Sequence, residues 1–564
     1  MRLTMLLICA AATLLVQAQS TFINPILPGG HPDPSICRVG DDYYIVNSTF
    51  EYFPGLPIHH STDLVNWELI GYGIHRPEQG TGIVNLVDVQ QNGGIHAPSI
   101  RYHDGLFYII VTNVYSALPG KEHPLMVNFI ITAEDPAGPW SDPVWVEGAP
   151  GIDPDLFWDD DGKVYFVGTR SIDQPDENGI GEIWVQELDP ESWQLRGERH
   201  PIWRGACGGC CVEGPHIYKE NGLYYVLVAE GGTGPNHAVM MAASDKLFGP
   251  YESNPRNPVI TSRHLSRNNW VNNTGHADLV QLADGRWYMV ALGIRNEISG
   301  RSNMGRETHL MPVIWEPVTM RWEEVSEGNW QPVEYVFPVV SPETGRVERH
   351  TPLPFEDHSQ RYNDAFSDNF QSPELNLEWN WRRIPVEGGH SLSDRPGYLR
   401  LQTVPQTFEL RKRFNAIGFR QKESDFSYRA AMEFKPKKSG SEAGISIFQQ
   451  DNNFMNLTVV REGKSHLLKL TVQEREQEIK VLKSVELEDY EGSIQFRLDS
   501  HSGQYHFSYS LDGVNWMNVQ QTADDIVLCY GYIGTCIGLY ATGNGVDTGD
   551  FADFDWVEYK GFVR

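Results

Sequence analysis

A turn followed by an aromatic strand recurs five times in the first 290 residues, as "VGDDYYI", "HDGLFYI", "DDGKVYF", "ENGLYYV" and "ADGRWYM". The tyrosines of these units, Tyr44, Tyr108, Tyr165, Tyr225 and Tyr288, are spaced by 64, 57, 60 and 63 residues. A β unit of that length cannot bury both of its faces alone, so regular repetition implies stacking of like units in a ring or array. Five units predict five blades of a β-propeller. Aromatic residues at 11%, with 53 Gly and 35 Pro, suit many short strands joined by tight turns rather than helices. Each unit continues to an outer aromatic residue (Trp67, Trp140, Trp193, Tyr251, Trp322), expected to pack between blades.

Ahead of each turn lies a leader: "HPDPSI", "IHAPSI", "IDPDLF", "VEGPHI" and "TGHADL". Counting back twelve residues from the last four tyrosines gives His96, Asp153, Glu213 and His276. Counting back eleven from Tyr44, across a turn one residue shorter, gives Asp33. The innermost strand of each propeller blade lines the central channel, so these positions converge at one end of the axis. A lone acid before proline is usually a turn or cap residue. Three carboxylates and two imidazoles in register are different, because packing alone would favour small or apolar residues there.

Crowded carboxylates raise one another's pKa, so one stays protonated while another is ionised. That division is the acid and base pair of glycoside hydrolysis. A separation of roughly 6.5–9.5 Å admits a water and inverts the anomeric centre, whereas a closer pair retains it. Residues on different blades suit the wider case. Aromatic residues in "STFEYFPG", namely Phe50, Tyr52 and Phe53, are placed either to stack on a sugar face or to pack in the core.

These motifs, with "STFEYFPGLPIHHSTDLVNW" and "MGRETHL", resemble glycoside hydrolase family 43, five-bladed propellers that invert. The resemblance implies that Asp33 is the general base, Glu213 the general acid and Asp153 the carboxylate that orients and tunes the acid. It implies that Arg306 contacts the sugar and steadies the base. It matches His276 to a central histidine that in some members touches a calcium ion or its waters. No cofactor is otherwise required. From about residue 356 a second run of alternating strands resembles the concanavalin-like β-sandwich (jelly-roll-like) of the xylosidase and arabinofuranosidase branch. Its stretch "CYGYIGTCIG" is expected to reach the pocket through Tyr532. His96 stands where members of the β-xylosidase branch often carry Trp, which keeps both β-D-xyloside and α-L-arabinofuranoside open.

The expected organisation is a signal peptide over 1–18 ("MRLTMLLICAAATLLVQA"), a catalytic propeller over 19–350 and a sandwich over 356–564, in a secreted or periplasmic protein. A formal net charge of −29 disfavours nucleic acid and anionic membranes and leaves a neutral polysaccharide or oligosaccharide as the expected partner. "CGGCC" (207–211) lacks a second ligand pair, so a structural zinc site is not expected. A local or inter-loop disulfide plus buried thiols is expected instead. The oligomeric state is not encoded in any of these features. The expected activity is an exo-acting, inverting pentosidase of hemicellulose or arabinan. The alternative is a catalytically inactive propeller that binds carbohydrate.

Overall fold

The computed structural model describes residues 20–79, 86–115, 125–170, 181–206, 210–297, 302–521, 528 and 532–563. The expected signal peptide therefore lies outside the described residues, as do Cys207 and Cys529. Five antiparallel sheets follow one another along the chain, each with its strands in sequence order from the axis outward. Blade 1 runs Ser35–Val39, Asp42–Val46, Gly55–Ser61 and Glu68–Ile74. Blade 2 runs from Gly94–His103 to Val144–Trp145, and blade 3 from Asp155–Trp158 to Leu195–Trp203. Blade 4 begins at Glu213–Glu220, and blade 5 runs from Val271–Gln281 to Asn329–Val340. Thr21–Ile23 pairs with His350–Pro352, joining the two ends of the ring.

The burial patterns explain the composition. Ala238–Ser244, inside blade 4, is buried at every position, because blades press on both faces of an inner strand. Leu195–Trp203, outermost in blade 3, is largely exposed. The repeating tyrosines sit on the second strand of each blade and several meet an aromatic ring of the next. Tyr44 meets Phe107 at 5.0 Å, Tyr108 meets Trp158 at 5.0 Å and Tyr225 meets Trp315 at 5.1 Å.

One expected packing residue departs. Trp322 is 61% exposed, because blade 5's third strand runs on to Ser326 and forms with Asn329–Val340 a long ribbon that leaves the blade. Trp315, on the same strand nearer the blade, contacts Tyr225 instead.

The remaining strands form a sandwich of two eight-stranded sheets. One sheet does not belong to the sandwich alone. Its edge strand is Tyr52–Phe53, from the propeller, paired with Asn380–Arg382. Arg382, fully buried, bonds Glu51 of the propeller at 3.2 Å and Asp451 of the sandwich at 3.2 Å. Arg383, also fully buried, bonds Asp451 at 2.6 Å and the carbonyls of Leu86 and Val89. On the far side Arg295 joins Glu307 of blade 5 (2.6 Å) to Glu423 of the sandwich (2.7 Å). The largest apolar cluster runs through both units, from Ile58 and Ile109 to Ile417 and Phe554.

Three outcomes are expected. Asp451→Ala leaves two buried guanidiniums short of a carboxylate and is expected to cost about 3–5 kcal/mol in urea unfolding. Breaking the exposed Arg256–Glu316 pair is expected to cost under about 1 kcal/mol. A chain ended near residue 355 uncovers the shared core and is expected to aggregate or to lose activity. A soluble, fully active fragment would refute this dependence.

Candidate active site

Each innermost strand carries, within it or just before it, a residue in the left-handed backbone region. These residues are Asp33 (φ 50°), Ala97 (42°), Asp153 (55°), Gly214 (58°) and His276 (45°). Each lies four residues before the partner of the repeating tyrosine, namely Cys37, Arg101, Phe157, Tyr218 and Val280. This corrects the register read from sequence. The two-residue turn found in blade 1 also occurs in blades 2 and 4, so counting twelve residues there overshoots by one. The strictly equivalent residues are Ala97 and Gly214, and His96 and Glu213 each precede theirs by one. Left-handed backbone is uncommon outside glycine and is kept where the surroundings enforce it. At Gly214 a Cβ would stand 3.0 Å from the His276 ring, so any side chain there would press on it.

The sequence-predicted residues nonetheless meet in one cavity of about 270 Å³, lined by Asp33, Phe50, His96, Asp153, Glu213, His276, Arg306 and Tyr532. Asp33 is buried and accepts a hydrogen bond from Ser48 Oγ at 2.6 Å. Arg306 Nη1 lies 3.5 Å from its Oδ1 and His276 Nδ1 lies 4.0 Å from the same oxygen. Burial alone would raise its pKa. His276, Arg306, the Ser48 bond and His96 together overcome burial and hold Asp33 below the usual carboxylate range.

Asp153 is buried without a cation in contact. Burial, then the charges of Glu213 and Asp33, hold it well above the usual range, opposed by the Gly214 amide at 3.1 Å. Glu213 is pushed up to about 7 by burial, with Arg306 opposing and Asp33 adding. One carboxylate of the pocket is thus held below the usual range and two are held above it.

The walls are built from both units. Phe50, on the segment that leads to the shared strand, meets His96 edge-on at 4.7 Å and Tyr532 at 5.6 Å. Arg306 lies 4.1 Å over the Tyr532 ring. Its loop abuts the sandwich: the amide of Gly534 lies 2.4 Å from where a Cβ on Gly305 would stand. Burial pushes His96 down to about 4, so its ring is neutral, and its Nε2 bonds the Asn92 carbonyl at 2.8 Å.

Several site residues escaped the sequence reading. Asn92 carries His96 on its carbonyl while its side-chain oxygen accepts from Gln450 (2.9 Å) and from the Tyr532 amide (3.2 Å). His237 is buried in the pocket wall, with Nδ1 on the Asn273 carbonyl at 3.0 Å and no partner on Nε2. Thr233, which Arg306 also bonds, and Cys211 complete that wall. None lies at a repeat position; Cys211 belongs to "CGGCC", and no local motif marks the others.

Below the pocket, Arg101 lies between Asp155 (2.6 Å) and Asp278 (2.9 Å), with His216 on Asp155 at 2.8 Å. Both carboxylates are therefore neutralised by a guanidinium. Among the described residues no group of three or more His, Cys, Asp or Glu side chains is arranged to hold a metal ion.

A propeller whose axial pocket gathers one carboxylate held below the usual range and two held above it, closed by a sandwich, defines a glycoside hydrolase. The chain belongs to glycosyl hydrolases family 43, whose model matches residues 22–318; the β-xylosidase C-terminal concanavalin A-like domain matches 367–560. It is 38% identical to a xylosidase/arabinosidase of Butyrivibrio fibrisolvens, over 94% of this chain and 98% of that protein. It is 36% identical to a non-reducing end alpha-L-arabinofuranosidase of Bacteroides ovatus, over 96% and 95%. Among solved structures, a family 43 protein from the xyloglucan locus of Bacteroides ovatus superposes with a TM-score of 0.84 at 35% identity, over 96% of this chain and all of that one. A xylan beta-1,4-xylosidase of Bacillus halodurans superposes with a TM-score of 0.84 at 30% identity, over 95% and 99%.

The divided proton affinities can be measured. Infrared difference spectra of wild type against Glu213→Gln are expected to show one carboxyl losing its proton about pH 7. Titration in the usual range for glutamate would contradict the geometry.

Proposed function

We propose that the enzyme is an exo-acting pentosidase that removes terminal α-L-arabinofuranosyl or β-D-xylosyl units from hemicellulose or arabinan chains, with inversion. The observation that carries this reading is the divided protonation of three carboxylates in a cavity of about 270 Å³. That volume lies just below the roughly 300–1,000 Å³ of drug-sized pockets and suits one sugar unit, so cleavage is from a chain end. The names of the B. fibrisolvens and B. ovatus relatives support a pentose.

In the mechanism Asp33, ionised at neutral pH, takes a proton from water, and the hydroxide oxygen attacks the anomeric carbon. Glu213 gives its proton to the departing glycosidic oxygen as the bond breaks. Asp153 and the Gly214 amide hold the ground around Glu213. Arg306 fixes Asp33 and presents its remaining donors to the sugar. Phe50 and Tyr532 supply apolar faces for the ring. No step is routed through a metal ion. The apolar segment at the N-terminus supports export to the periplasm or the medium.

His96 decides the sugar in this reading. A Trp there would give a flat wall for a pyranose; the smaller neutral imidazole leaves room for a furanose with its exocyclic hydroxymethyl group. We therefore favour α-L-arabinofuranosides, with β-D-xylosides as a second substrate.

Glu213→Gln is expected to lower kcat/KM by about 10²–10⁴-fold on natural linkages and far less on an aryl pentoside whose phenol leaves unaided. Equal losses would rule out the acid role. In wild type, kcat/KM on natural linkages is expected to fall as pH rises through about 7, where Glu213 loses its proton. His96→Trp is expected to move the ratio of kcat/KM for aryl arabinofuranoside and xyloside toward the xyloside, by about 10- to 200-fold. An unchanged ratio would mean that His96 does not face the sugar.

A further inference from the structure

Immediately before Glu213 the chain carries two adjacent cysteines that the hydrolytic reaction does not use. Cys210 and Cys211 are both free thiols. They are in contact, thiol to thiol. Both face Gly232: their sulfurs lie 3.5 and 3.7 Å from where a Cβ on that glycine would stand. Cys211 and Gly232 both line the catalytic cavity. Cys211 is exposed and holds a left-handed φ of 61°.

The chain on either side is unequally fixed. Cys210 accepts a hydrogen bond from the Gly231 amide at 2.8 Å, and Val212 accepts one from Thr169. Glu213 pairs with Ala229, but the register shifts between Glu213 and His216. Glu213 therefore sits ahead of an irregularity, on backbone with fewer ladder bonds than the strand that follows.

We propose that Cys210 and Cys211 are an oxidative modification site, a vicinal dithiol that a peroxide closes to a disulfide, and that closure draws Glu213 away from the leaving oxygen. The second half rests on the reading of Glu213 as proton donor. In the reaction one sulfur takes an oxygen from the peroxide as the O–O bond breaks, releasing water. The second sulfur then attacks the resulting sulfenic acid and expels another water. Two thiols and one peroxide give one disulfide and two waters, and a small thiol reverses the change by exchange.

Geometry gives closure its consequence. Adjacent Cα atoms stand about 3.8 Å apart across a trans peptide, below the roughly 4.4–6.8 Å that disulfides usually span. Closing the bond must twist the 210–211 peptide and shift the chain that leads into Glu213. Such strained disulfides are readily reduced, which makes the change reversible. Burial and the bond to Cys210 push the Cys211 thiol up to about 12, which slows its attack at neutral pH, so closure is expected to quicken as pH rises.

The test uses the full-length protein, reduced and then treated with hydrogen peroxide at pH 8. The expected product is 2 Da lighter, with the disulfide mapped to Cys210 and Cys211 by peptide mass spectrometry. Closure is expected to lower kcat/KM at least tenfold on an alkyl pentoside, which needs a proton donor, and less than threefold on an activated aryl pentoside. Dithiothreitol restores both. Cys210→Ser removes the response, and the reversibility in wild type keeps the test valid should that variant fold poorly. A disulfide mapped to Cys207, or none, overturns the site. A Cys210–Cys211 disulfide with equal or no loss on the two substrates overturns the action through Glu213. If Glu213→Gln itself showed no dependence on leaving group, the proton-donor reading would fail instead, and the mass measurement would still report closure.

Discussion

Arg382 is completely enclosed, and a guanidinium enclosed without counter-charges would oppose folding by several kcal/mol. Its two carboxylates come from opposite sides of the molecule, Glu51 from the propeller and Asp451 from the sandwich. Neither unit can satisfy this charge alone. Arg295 repeats the arrangement between Glu307 and Glu423. The sheet that the two units share obeys the same logic in backbone form, because Tyr52–Phe53 would be a solitary strand without its partner Asn380–Arg382. The sandwich is therefore the second half of one cooperative structure rather than an attached module.

The active site inherits its shape from that seam. Seven consecutive residues do most of the joining: Asn47 and Ser48 hold the Asp33 turn, Phe50 forms a wall, Glu51 meets Arg382, and Tyr52 and Phe53 enter the sandwich sheet. From the other side Tyr532 covers Arg306, and the Thr535 amide bonds the Asn303 carbonyl at 2.7 Å. Asn92 closes the circuit by holding His96 and Tyr532 together. A shift of the sandwich would move both the aromatic cover and the cation beside Asp33.

The repeat was legible in the sequence because it is local. A turn and an aromatic strand recur in every blade, and each tyrosine lies on a second strand. The pocket followed, since five leaders that precede five inner strands must converge. What local pattern could not supply was length of turn at single-residue accuracy, hence the offset at His96 and Glu213. Trp322 failed for a related reason: the pattern marks an aromatic strand, and nothing in it says where that strand leaves its blade. The seam was invisible, because Glu51 and Asp451 are 400 residues apart and neither lies in a motif that names its partner. His237, Thr233 and Asn92 come from connecting segments or strand ends, where function adds single residues without a period.

The one-residue offset has a chemical meaning. In blades 1, 3 and 5 the left-handed residue itself carries the polar side chain, Asp33, Asp153 and His276. In blades 2 and 4 that residue is Ala97 or Gly214, and the side chain that enters the pocket, His96 or Glu213, belongs to the residue before. A five-fold ring of identical positions would give its carboxylates similar surroundings, and similar carboxylates cannot divide the work of acid and base. Here the offset frees the Gly214 amide to bond Asp153 and brings Gly214 against His276, while Arg306, from the loop just before the third strand of blade 5, lies 3.5 Å from Asp33. Asp33 gains a cation, Asp153 gains only an amide, and Glu213 is left between them. The asymmetry that the proposed mechanism needs is thus produced by displacing one polar residue along each of two strands.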